Sequence, residues 1–185
     1  MTNTFIILLC VAGAVLGKDS TIRSNNGGPW GDWGSESHCP PNSFATGFAI
    51  KVERPVGDSD DTSINGIKLF CTSGNDGSET EVTSNQQQWG SWTDRRQCPH
   101  GRLTSMRLRV EGRQGSGDDT AANNLDMRCQ NGQELGGGGN NWGDWSPWET
   151  CQLGQAICGL QTRVEGTQAG DDTALNDVIF LCCRQ

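Results

Sequence analysis

The chain has 185 residues and a formal net charge of −8, from 14 Lys and Arg against 22 Asp and Glu. A nucleic-acid binder needs a basic footprint, and an anionic membrane surface attracts cations, so both partner classes are excluded on charge. Basic proteins and neutral glycans remain open as partners, and the 26 Gly would fit disorder were it not for the ordered patterning that follows.

Residues 1–17, MTNTFIILLCVAGAVLG, contain an apolar run from Phe5 to Leu16 that is too short to span a bilayer. It reads as a signal peptide cleaved near Gly17–Lys18, although no Lys or Arg precedes the run. The remainder, 18–185, is expected to form one soluble domain, secreted, extracellular and monomeric, with no membrane insertion. Loss of Cys10 leaves eight of the nine cysteines. An even count in an exported chain implies a disulfide framework, with about 105 pairings open.

Trp30-Gly31-Asp32-Trp33 comes next, and Cys39 lies nine residues after the first Trp. Phe48, Ile50 and Val52 alternate with polar or small residues, which predicts a half-buried strand ending in Lys51-Val52-Glu53. Asp60-Asp61-Thr62, with Asn65 behind it, reads as an acidic turn; Ile67, Leu69 and Cys71 predict the returning strand. The polar connector 72–88 leads into Trp89-Gly90-Ser91-Trp92, and the order repeats: Cys98, then Met106, Leu108 and Val110, then Arg109-Val110-Glu111, Asp118-Asp119 and Asn123, then Leu125, Met127 and Cys129. The Gly-rich connector 130–141 opens a third copy: Trp142-Gly143-Asp144-Trp145, Cys151, then Leu160, Thr162 and Val164 with one polar lapse, Arg163-Val164-Glu165, Asp171-Asp172, Asn176, and Val178, Phe180 and Cys182.

Five landmarks in one order, three times, define an internal repeat over approximately 28–84, 85–137 and 138–185. Each copy supplies two clear strands and room for a Trp-bearing strand and one more, hence a four-stranded sheet per copy. One such sheet cannot bury its apolar face alone, whereas three can face a common axis. The expected fold is therefore all-β, a three-sided prism or barrel with pseudo-threefold symmetry. Equivalent positions in the repeat select Cys39–Cys71, Cys98–Cys129 and Cys151–Cys182, leaving Cys158 to pair with Cys183. The adjacency of Cys182 and Cys183 leaves one exchange of partners open.

Three WGxW–Cys–(K/R)VE–DDTxxN–Cys units behind a signal peptide resemble the vitelline membrane outer layer protein 1 family, most tellingly in GDDTAANN at 117–124, ICGLQTRVE at 157–165 and DDTALNDVIFLCC at 171–183. The resemblance implies a β-prism of three Greek-key sheets, four disulfides and a secreted structural component of an egg coat. It also implies a relation to plant lectin folds that bind sugars. Departures are small: Ser63-Ile64 stands where the later copies have Ala-Ala and Ala-Leu, and Thr162 is polar in its strand.

The acidic pairs Asp60 and Asp61, Asp118 and Asp119, and Asp171 and Asp172 have a structural reading as stapled turns and a functional one as a ligand site at one end of the prism. Carboxylates and Trp faces suit a neutral glycan; calcium is the second candidate, without the ligand spacing of an EF-hand. One Trp of each pair is expected in the core, because positions three apart on a strand face opposite ways. Trp148, which has no counterpart in the other copies, is the better surface-binding candidate.

No metal-ligand spacing, phosphate loop or nucleophile motif calls for a metal or a cofactor. Glycosidic catalysis needs two carboxyls in unlike environments, about 5–10 Å apart, and strict repetition gives Glu53, Glu111 and Glu165 like ones. His38 and His100 read as surface residues. The expected function is a non-enzymatic coat protein contacting glycans or coat proteins. The alternative is a carbohydrate-active enzyme with weak lysozyme-like or transglycosylating action on N-acetylglucosamine oligomers.

Overall fold

The computed structural model describes residues 19–54, 63–112, 122–166 and 174–185. Within them every regular element is a strand. The N-terminal part and first copy contain β1 (Ser20–Arg23), β2 (Asp32–Trp33), β3 (Ser37–His38), β4 (Ser43–Val52), β5 (Ile64–Ser73) and β6 (Glu79–Thr83). The second contains β7 (Ser91–Trp92), β8 (Arg96–Gln97), β9 (Leu103–Val110), β10 (Ala122–Cys129) and β11 (Glu134–Gly136). The third contains β12 (Asp144–Trp145), β13 (Glu149–Thr150), β14 (Gln155–Val164) and β15 (Leu175–Arg184).

These strands form three antiparallel sheets of four strand positions each, the fourth position being an interrupted strand in two short pieces. The first sheet runs β6-β5-β4-β7/β8, the second β11-β10-β9-β12/β13, and the third β1-β15-β14-β2/β3. The fourth strand therefore never comes from the copy that supplies the central hairpin. Each Trp-bearing segment crosses to the sheet of the preceding copy, and the N-terminal segments close the ring by pairing with the last hairpin, Ser20 opposite Cys182 and Trp33 opposite Arg163. A sheet per copy is thus corrected to a sheet shared between copies.

The alternation read in the sequence decides what faces the axis. Phe48 lies opposite Leu69 and Ile50 opposite Ile67; Met106 faces Met127 and Leu108 faces Leu125; Leu160 faces Phe180 and Thr162 faces Val178. All of these side chains are buried and, Thr162 apart, form one core. Each fully buried aliphatic or Phe side chain contributes about 1.5–3 kcal/mol. Thr162 keeps its inward place because its hydroxyl donates to the Asn85 carbonyl at 2.6 Å, which removes the cost of a buried unpaired hydroxyl.

The interrupted strand has its own logic. Where β7 gives way to β8, the Thr93 hydroxyl oxygen accepts the Ile50 amide at 3.2 Å, and Ser146 does the same for Leu108 at 3.1 Å. The third sheet has Gly34 at that position; there the Ser84 hydroxyl accepts the Thr162 amide at 3.2 Å and donates to the Ser35 carbonyl at 2.8 Å. A strand amide left open by the sequence is satisfied from the neighbouring connector.

The structure places disulfides between Cys39 and Cys71, Cys98 and Cys129, Cys151 and Cys182, and Cys158 and Cys183. Because the Trp segments cross over, the first three join adjacent sheets: the Cys39 amide donates to Cys158 of the third sheet while its sulfur bonds Cys71 of the first. Cys182 and Cys183 are strand neighbours and point to opposite faces; a bulge between Ile157 and Gly159 sends Cys158 outward to meet Cys183. Face assignment, not proximity, separates the two partners.

Candidate functional site

Strands β4, β9 and β14 end at Val52, Val110 and Val164, and their ends are tied into one pole of the prism. The Gln87 side-chain amide donates to the Glu165 carbonyl at 2.5 Å, and that of Asn140 donates to the Glu53 carbonyl at 3.1 Å and to the Ser63 hydroxyl at 3.0 Å. Arg54 donates to the Gly138 carbonyl at 2.8 Å. Gly137 is buried, and a Cβ on it would overlap the Leu125 carbonyl. The Gly-rich connector is closely packed rather than merely a loop.

At this pole the repeated motifs explain one another. Gly31, Gly90 and Gly143 have φ of 73°, 75° and 75°, and each lies so close to the end of Val164, Val52 or Val110 that a Cβ would overlap its carbonyl. Only glycine combines that backbone with that approach. The basic residue of each K/R-Val-Glu then clasps the turn: Arg163 donates to the Gly31 carbonyl and Arg109 to that of Gly143, both at 2.9 Å, and Lys51 donates to Gln87 and Gln88 at 3.0 and 2.9 Å. WGxW and K/R-Val-Glu are two halves of one contact between copies.

The clasp sets the two Trp of each pair in different surroundings. Trp30, Trp89 and Trp142, on the polar rim, are 43%, 43% and 38% exposed. Trp33, Trp92 and Trp145 lie half-buried on the outer sheet faces beneath cations, with Arg23 5.1 Å, Lys68 4.7 Å and Arg107 4.5 Å from the ring centroids. The expectation of one core Trp per copy is overturned. Trp33, Trp92 and Trp145 pair with Arg163, Lys51 and Arg109, which point outward, so the indoles share that outer face.

Asp60, Asp61, Asp118, Asp119, Asp171 and Asp172 lie outside the described residues. Their flanks belong to the pole: the Glu53 amide donates to Ser63 and the Glu165 amide to Ala174, both at 2.8 Å. Ser63 and Ala174 hold φ of 56° and 46°, a left-handed conformation unusual for residues with a Cβ. The Asn that closes each motif is buried. The carbonyls of Asn65, Asn123 and Asn176 accept the amides of Gln87, Asn140 and Gly28 at 2.8 Å. Each of those donors stands two residues before a rim Trp, so the Asn of DDTxxN fastens the segment that presents it.

Trp148 is not brought to this pole. It lies half-buried on the flank of the second sheet, where Arg128 and Arg107 stand 4.0 and 4.8 Å from its ring centroid. Those guanidiniums are paired in turn with Glu134 at 2.5 Å and Asp126 at 2.7 Å. In the first sheet the same position is Arg95, stacked 4.2 Å over Phe70. Cation and ring have exchanged places between two copies.

The three corners are not identical. The corner of the first sheet holds an open cleft of about 350 Å³ lined by Val52, Glu53, Arg54, Gly90, Ser91, Trp92 and Thr93. Sequence reasoning missed it, although aligning the copies sets Arg54 against Gly112 and Gly166, and Ser91 against Asp32 and Asp144. At the third corner Asp177 is fully buried, 2.5 Å from Arg23, and it accepts the Val178 amide at 2.8 Å. Burial pushes its carboxyl above the ordinary value, outweighing the opposing pull of Arg23. Among the described residues no group of three or more His, Cys, Asp and Glu is arranged to hold a metal ion.

Comparison with known proteins agrees with this architecture. The human and mouse proteins named vitelline membrane outer layer protein 1 homolog are each 46% identical, over 91% and 89% of this chain and 85% and 83% of their own lengths. The crystal structure of an artocarpin–mannotriose complex superposes with a TM-score of 0.60 at 12% identity, covering 90% of this chain and 99% of that one. Calystegia sepium agglutinin does so with a TM-score of 0.56 at 16% identity, covering 92% and 99%. These likenesses identify the β-prism fold. The family profile described as vitelline membrane outer layer protein I matches residues 20–185, and the chain belongs to that family.

Proposed function

We infer that the chain is a secreted, monomeric, non-enzymatic component of an extracellular coat, holding glycans or glycosylated coat proteins at its Trp-bearing pole. The observation that carries this is the exposure of Trp30, Trp89 and Trp142 together on one rim. Large aromatics exposed at equivalent places around one pole of a rigid scaffold are candidate binding groups. Sheets stapled to one another by disulfides suit a protein that must persist in an oxidising, mechanically loaded layer.

Two likenesses support the reading. The family is described by a membrane's outer layer, and several solved neighbours of the same fold are described as mannose-binding lectins or mannose complexes. Turnover is not part of it. Glu53, Glu111 and Glu165 occupy equivalent places at three corners, whereas acid–base cleavage needs a protonated and an ionised carboxyl side by side.

An NMR titration with mannotriose and with chito-oligosaccharides, following protein and sugar signals together, tests this. The expected result is movement of the indole N–H signals of Trp30, Trp89 and Trp142 with the sugar unchanged. New anomeric signals would make the protein an enzyme, and silence from both partners would reassign the pole to a protein contact.

A further inference from the structure

The pole repeats three times in sequence, but its electrostatics do not. At the second corner the clasp positions hold Arg109 against Glu111 and Asp144, with Gly112 following; at the third they hold Arg163 against Glu165 and Asp32, with Gly166 following. Each has two acids to one base. The first corner holds Lys51 and Arg54 against Glu53, with Ser91 where the others carry Asp: two bases to one acid. In a chain of net charge −8, this is the one corner whose clasp positions hold more bases than acids.

Two further observations turn the charge into a site. Arg54 spends its described hydrogen bonds on neutral acceptors, the carbonyls of Gly138 and Gly139 and the side-chain oxygen of Asn140. Arg54 also lines the cleft of about 350 Å³, beside the Trp92 ring, Ser91 and Thr93. That volume lies at the lower end of the range for small-ligand sites. The Thr93 oxygen already accepts the Ile50 amide, which leaves its hydroxyl proton to donate outward.

We propose that this cleft binds the acidic residue of a glycan, a sugar bearing a carboxylate or a sulfate ester. The proposal rests on the glycan-binding reading and deepens it. The anion meets Arg54 through charge-assisted hydrogen bonds. Ser91 and Thr93 meet sugar hydroxyls, and the half-exposed Trp92 ring forms an apolar wall. Asp at the Ser91 position would repel such a ligand, which keeps the other two corners from competing.

Titration of the ¹⁵N-labelled protein with 3′-sialyllactose, 3′-sulfolactose and lactose tests the assignment. Both acidic sugars, or one of them, should move the amide signals of Ser91 and Thr93 and the indole signal of Trp92, with a Kd at least tenfold below that of lactose. Whichever acidic sugar binds tighter identifies the anion. Arg54→Gln and Ser91→Asp should each weaken that binding at least tenfold. The fold tolerates the second change, since Asp is native at both equivalent positions. Equal affinity for lactose, shifts confined to Trp30 and Trp142, or an unaltered Ser91→Asp variant would overturn the proposal while leaving glycan binding in place. If these sugars, mannotriose and chito-oligosaccharides all fail to bind, the glycan reading falls with it.

Discussion

The Cys39 amide donates to the Cys158 carbonyl at 2.8 Å, although the sulfur of Cys39 belongs to Cys71 on a different sheet. Cys98 stands in the same relation to Thr46, and Cys151 to Thr104 at 2.9 Å. Each framework cysteine is hydrogen-bonded to one sheet and cross-linked to the next. Replacing Cys98 and Cys129 together with Ala should lower the free energy of unfolding by about 3–4 kcal/mol, from the loop-closure entropy released. Urea denaturation would measure it, and a loss under 1 kcal/mol would mean that the bridge adds little to the docked sheets.

The fourth bridge differs in its surroundings. Cys183 is only half-buried, whereas both cysteines of each inter-sheet bond are buried. Under mild reductant without denaturant, Cys158–Cys183 should open first, because thiolate attack requires access to sulfur. Alkylation and peptide mapping at successive times should find Cys158 and Cys183 labelled before any other cysteine. Simultaneous labelling of all eight would indicate reduction through global unfolding.

Gly143, with φ of 75° and its Cα against the end of Val110, leaves no space for a side chain. Gly143→Ala should cost about 2–4 kcal/mol, combining left-handed strain with backbone overlap. Gly154, whose φ of 82° comes with open space, should cost only the strain, about 1–2 kcal/mol. Thermal melts of the two variants separate steric overlap from conformation, and equal shifts would remove the clasp from the account.

Asp177 makes a signed prediction about pH. Burial raises its folded-state pKa above the unfolded value, so the native state binds the proton more tightly. Its contribution to stability is full below the unfolded carboxylate pKa and is lost as pH rises through the folded one. Asp177→Asn removes that dependence. The difference in unfolding free energy, wild type minus variant, should therefore fall as pH rises out of the acid range. A difference that grows with pH would mean that Arg23 dominates the carboxyl.

The alternation of Phe48, Ile50 and Val52 and its two echoes made the hairpins and the inward faces readable, because a period of two on a half-buried sheet has one solution. The crossing of the Trp segments was not readable. A repeat states which pieces recur but not which copy's hairpin each piece joins, and Ser91 pairs with Val52 across a long stretch of chain. The placement of the Trp residues was misread for a related reason. Spacing of three puts side chains on opposite faces only if the strand is continuous, and β7 and its equivalents are two residues long. The rim Trp and the Ser91 cleft depended on that crossing and so stayed hidden, although Arg54 against Gly112 and Gly166 was a visible asymmetry.

The proposed binding surface is the rim bearing Trp30, Trp89 and Trp142. Its most direct test is a glycan array probed with the wild-type protein and with the variant carrying Ala at all three positions, after circular dichroism and thermal melts have shown the variant folded. The three side chains are 43%, 43% and 38% exposed and lie outside the buried core, so the expected result is an intact fold and loss of the wild-type glycan signals. A folded variant that keeps every signal would contradict it and move the binding surface elsewhere on the prism.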